Sequence, residues 1–146
     1  MKLPRYNLSS DSQLTTFEFV SEGPNGRIVK LVQYSPTNLK NVYNLAFGDK
    51  NGQTGEINDL TISNNGDSEK ILATVVSTVY AFTDQHPVAN IYATGSTESR
   101  TRLYRIGITK YIEEISEHFH VYGELDKGWE KFEKDRDYLG FLVYRK

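Results

Sequence analysis

The chain has 146 residues, 25% of them charged, a net charge of −2, ten tyrosines and no cysteine. That length can bury a core as one domain, and the lack of cysteine excludes a disulfide scaffold, thiolate metal ligands and thiol chemistry. No apolar run approaches the roughly 18–20 residues that cross a bilayer, and Met1-Lys2-Leu3-Pro4-Arg5 lacks the apolar stretch of a secretory signal, so a cytoplasmic protein without membrane contact is expected.

Residues 1–13 read as a polar, extended lead-in. Thr15 to Ser21 alternates around Phe17 and Phe19 as a strand with one buried face. Gly23-Pro24-Asn25-Gly26 is a turn, and Arg27 to Tyr34 follows as the second arm of a hairpin. Asn41 to Phe47 makes a third strand. The connection from Gly48 to Gly66 is rich in glycine and asparagine and suits turns, with Ile57, Leu60 and Ile62 pinning its middle. Asp67 then caps a helix in which Ile71, Leu72, Val75, Val76, Val79 and Phe82 recur at three- and four-residue spacing, with small residues between. So broad an apolar face predicts the more deeply buried of two helices, and Pro87 ends it.

Val88 to Ala93 is apolar enough for a central fourth strand. A second helix is predicted from Thr97 to Glu117, with Tyr104, Ile108, Tyr111, Ile112 and Ile115 on one face. Phe119 to Leu125 is a fifth strand. Asp126 to Asp137 reads as a charged excursion or short helix carrying Trp129 and Phe132, and Tyr138 to Tyr144 closes the sheet. The order β-β-β-α-β-α-β-β predicts a single α+β domain over residues 1–146, a mostly antiparallel sheet of about six strands with both helices on one face. If the third and fourth strands are parallel neighbours joined by the first helix, both helices start at the edge where such sheets favour ligands.

The sharpest chemical signal lies from Ile91 to Tyr111. A strand hands over through Gly95, with Ser96 and Thr97 in capping positions, to a helix start bearing Arg100, Arg102 and Arg105. Such a start presents unpaired N–H groups and the positive end of the helix dipole, a natural place for an anion. From Thr94 to Ile112 four cations face only Glu98, whereas from Glu113 to Asp137 nine acids stand against four bases. That asymmetry suits an anionic partner at one patch or, equally, charge pairing between neighbouring elements.

The spelling G-S-T-E-S-R-T-R-L-Y-R-I-G-I from Gly95, preceded by S-N-N-G-D-S-E-K-I-L-A-T-V-V from Ser63, resembles a family of small bacterial proteins classed as a domain of unknown function. The likeness covers most of the chain and implies that Asn64, Asn65, Gly66, Asp67, Ser96, Thr97, Arg100, Arg102, Tyr104 and Arg105 belong to the family pattern. It lends no activity and no catalytic residue.

Each candidate has a structural reading beside the functional one. Arg100 leans towards the apolar side of its helix and needs either a ligand or a carboxylate such as Asp67 or Asp59. Arg102 and Arg105 sit three apart on the outward face, free to guide a partner or to pair with Glu98 or Glu113. Asn64, Asn65 and Asp67 form a turn and a cap, or the opposite wall of a site. His118 and His120 lack a third metal ligand, and neither a metal nor a cofactor is implied. The reading that follows is an anion-binding module, for nucleic acid or a nucleotide, using the Gly95–Arg105 edge. The alternatives are a small toxin-type ribonuclease or phosphotransfer enzyme with Tyr104 or a histidine moving protons, and a homodimeric protein–protein module with structural arginines.

Overall fold

The computed structural model describes residues 5–58, 65–95 and 98–146, and of Ser99 and Arg100 the backbone alone. Nine strands and two helices are described, so the class is α+β. The expected sheet is corrected. The strands outnumber the predicted six, and the sheet is mixed: β4 (Val42–Lys50) and β6 (Asn90–Ala93) run parallel, as the third and fourth predicted strands would if they were neighbours, and the other recorded pairs are antiparallel. The chain divides into two compact units, one built from the chain up to Gln33 with Ala46–Gln85, the other from Tyr34–Leu45 with His86–Lys146.

In the first unit β1 (Ser9–Ser10), β2 (Thr16–Gly23) and the start of β3 (Gly26–Pro36) form an antiparallel ladder. Alternation along β2 sends Phe17 and Phe19 to the core, where Phe19 stacks on Phe47 at 6.3 Å. The predicted long connection after the third strand is partly a hairpin. β4 continues to Lys50, and Asn51 organises a turn by accepting the Gln53 and Thr54 N–H groups at 2.8 and 3.2 Å. A short strand, β5 (Ile57–Asn58), then pairs back on β4. Leu60 and Ile62 lie outside the described residues.

α1 (Ser68–Gln85) begins directly after Asp67 and buries nine residues. Its small positions work because their hydroxyls turn back on the preceding helical turn. Thr74, Ser77, Thr78 and Thr83 donate to carbonyls at 2.6–2.7 Å, so each of these four hydroxyls has an acceptor. The same core holds an ion pair that periodicity gave no hint of: Lys30, 1% exposed, with Asp49.

In the second unit the strand order is β4, β6, β9 (Phe141–Arg145), β7 (Phe119–Leu125), β8 (Gly128–Lys131). β9 does not close the sheet at its edge; it inserts between β6 and β7, pairing antiparallel with both. The charged excursion is corrected too: instead of a short helix it contains β8, paired with β7. The Tyr138 ring lies against Gly123, where a Cβ would come within 2.3 Å, so only glycine fits that place on β7. α2 (Glu98–His118) leaves helical geometry once, at Tyr111 (φ −109°, ψ 15°). Among its described residues it buries Tyr104, Gly107, Tyr111 and Ile115, against nine in α1. Among the described residues no helix is long and apolar enough to cross a membrane.

Candidate functional site

β6 ends at Ala93, and the chain passes Thr94 and Gly95 on its way to α2. Both residues are tied down locally. Thr94 donates its hydroxyl to the Leu139 carbonyl at 2.9 Å, and the Gly95 N–H donates to the Thr101 hydroxyl at 3.0 Å. The glycine N–H expected to face an anion is therefore already bonded, by a side chain reaching back from the helix's first turn.

Beside this turn lies a cleft of about 480 Å³. Glu98, Thr101, Arg102 and Arg105 of α2 form one wall, Glu124 and Asp126 another, and Asp137, Tyr138 and Leu139 the third. Arg102 and Arg105 face it together because residues three apart share a helix face. Arg102 is exposed and has no ion pair among the described residues. Arg105 reaches Asp137 at 3.1 Å, with side-chain exposures of 27% and 96%. A pair so open to solvent is worth at most about 1 kcal/mol, which leaves the guanidinium available to a stronger anion.

Among the described lining residues four carboxylates stand against two guanidiniums, so the field they make is mixed rather than uniformly positive. Two of the acids are already engaged: Asp137 by Arg105, and Glu124 by the Tyr92 hydroxyl at 2.6 Å. Burial, reinforced by that carboxylate, pushes the Tyr92 pKa up to about 12. Tyr92 thus stays a hydrogen-bond donor at neutral pH.

The other predicted site residues fall elsewhere. Asn64, Ser96 and Thr97 lie outside the described residues, as does the side chain of Arg100. Tyr104 is buried and does not line the cleft. Asn65 and Asp67 belong to the first unit and are occupied there. Asn65, 2% exposed, accepts the Asn25 N–H at 2.7 Å and donates to the Gly26 carbonyl at 2.9 Å and the Ser21 hydroxyl at 3.2 Å. It clamps the β2–β3 turn, and its backbone sits where a Cβ on Gly23 would come within 2.0 Å. Gly66 holds φ +71°, a conformation glycine adopts without strain. The Asp67 carboxylate accepts both the Tyr6 and the Ser21 hydroxyls at 2.5 Å. Burial, then this carboxylate, raise the Tyr6 pKa.

Sequence reasoning missed the acidic wall and Arg105's partner, having weighed Glu98 and Glu113 for it. The excess of acids between Glu113 and Asp137 was the available signal, and the Arg105–Asp137 pair is one case of charge pairing between elements.

No curated protein and no solved structure matches the chain. A family model described as a family of unknown function matches residues 2–146, and the chain belongs to that family, DUF6934.

Proposed function

We propose that the chain is a binding module for a phosphate-bearing ligand, nucleic acid or nucleotide, seated in the cleft beside Gly95. The observation that carries this reading is Arg102: a guanidinium with no ion pair among the described residues, facing a cleft of ligand size, with the lightly held Arg105 beside it. The acids opposite refine the ligand. A bare polyanion would be repelled by Glu124 and Asp126, whereas a nucleotide unit offers phosphate to the arginines and sugar hydroxyls or base amino groups to the carboxylates. Ser96, Thr97 and Arg100 stay in the proposal on the strength of their sequence alone.

The enzyme reading gave proton transfer to Tyr104 or a histidine, and a buried Tyr104 outside the cleft does not favour it. For Arg105 the structural reading draws support from its pair with Asp137. Binding of a labelled nucleotide, followed by anisotropy at low and moderate salt, tests the proposal. Arg102→Ala is expected to weaken binding by about 1–3 kcal/mol and to flatten the salt dependence. Equal affinity in the wild type and Arg102→Ala would remove the cleft from the account.

A further inference from the structure

The sheet of the second unit has two unlike faces. Ile91, Ala93, Phe119, Val121, Phe141 and Val143 alternate onto the buried one. The registers put Tyr92, Leu142 and Tyr122 in one row of the other face, and Tyr144 and His120 in the next. Glu124 and Trp129 oppose each other in a third row. The tyrosines on this face are half-buried, while His120 and Trp129 are exposed, Trp129 by 46%.

The rings form two groups. Tyr122 and Tyr144 lie parallel at 6.1 Å with an interplanar angle of 3°, and His120 sits 4.9 Å from Tyr144. Trp129 meets Tyr92 edge-on at 6.0 Å. A packed core would bury such rings; here the tyrosines are only half-buried and His120 and Trp129 are exposed, on paired strands.

The flanks of this face carry cations. His120, Tyr122 and Lys131 also line a second cleft of about 380 Å³, together with Lys146 and with no carboxylate among its described lining residues. At the other end Glu124, bonded to Tyr92, lines the arginine cleft. His120 and Glu124 are four residues apart on β7, or about 13 Å. Partly exposed rings between two cation-bearing clefts match an alternation of bases and phosphates.

We propose that this face binds single-stranded nucleic acid, its bases stacking on Trp129 and on the Tyr144–His120 group while Lys131 and Lys146 contact phosphates. The inference rests on the phosphate-ligand reading above and names the ligand as a single strand rather than a free nucleotide. A duplex does not suit the face, because its bases are already stacked.

Trp129 is the only tryptophan in the chain, so its fluorescence reports the site directly. Titration of the full chain with a short oligouridylate or oligothymidylate is expected to quench it saturably, and a duplex of the same length is not. Trp129→Leu and Tyr144→Ala should each weaken binding of labelled oligonucleotide by about tenfold. If Tyr144→Ala does not melt cooperatively, Trp129→Leu, at an already exposed position, carries the test. Oligonucleotide binding that survives Arg102→Ala but not Trp129→Leu upholds the face and removes the cleft. Nucleotide binding lost in Arg102→Ala, with no quenching by single strands, upholds the cleft and overturns the face. Self-association that disappears in Trp129→Leu would assign the face to a second copy of the chain and overturn the proposal as well.

Discussion

The turn before α1 and the turn before α2 look alike in sequence: each has a glycine, short polar residues and a helix start. Their surroundings differ. In the first, Asn65 spends its side chain on the β2–β3 turn and Asp67 takes two hydroxyls on Oδ2 within the same unit, while its buried Oδ1 has no hydrogen-bond partner among the described residues. In the second, Gly95 is closed by Thr101, yet among the described residues Arg102 on the cleft wall has no ion pair and Arg105 pairs with a solvent-exposed carboxylate. Which side chains are already spent on the fold is what sets the two turns apart, and residue type does not reveal it.

The comparison can be broken first where the closed groups are most deeply buried. Lys30→Met removes the counter-ion of Asp49 in the core of the first unit and is expected to cost about 3–5 kcal/mol in urea unfolding. The double variant Lys30→Met/Asp49→Leu should recover much of that loss, since neither charge is then left buried alone. A single variant as stable as the wild type would contradict the closed-pair reading. Asn65→Ala comes next. It removes three hydrogen bonds and leaves the buried Ser21 hydroxyl short of a partner, for about 1–3 kcal/mol, with oligonucleotide affinity unchanged. A drop in affinity with unchanged melting would return Asn65 to the site.

Much of the fold was legible because periodicity carries it. The spacing of α1, the alternation of β2 and β7 and the parallel pairing of β4 with β6 are all readable in order along the chain. The insertion of β9 between β6 and β7 was not, because strand order in a sheet depends on contacts between distant segments. β8 escaped for a different reason: Gly128-Trp129-Glu130-Lys131 is short and charged and pairs on β7 alone, so it has no continuous apolar face to signal a strand. In the candidate site the shared face of Arg102 and Arg105 followed from helical spacing. Asp137 did not, being thirty-two residues further along the chain from Arg105.

A smaller effect sharpens the account of the cleft wall. With its pKa near 12, Tyr92 keeps its proton when folded at pH values where an unfolded tyrosine, near 10, has lost it. Its contribution to stability is therefore complete below pH 10 and is lost as pH rises towards 12. Absorbance titration should show one late-ionising tyrosine fewer in Tyr92→Phe than in the wild type. A Tyr92→Phe profile identical to the wild type would detach Tyr92 from Glu124.

The central claim is that Arg102 serves a ligand while Asn65 serves the fold. Thermal melting of the wild type and Arg102→Ala, with and without a short oligouridylate, tests it most directly. The account predicts equal melting temperatures without ligand, a rise with ligand in the wild type, and a rise in Arg102→Ala that is much smaller at the same concentration. A lowered melting temperature in ligand-free Arg102→Ala, together with no ligand-induced rise in the wild type, would contradict it.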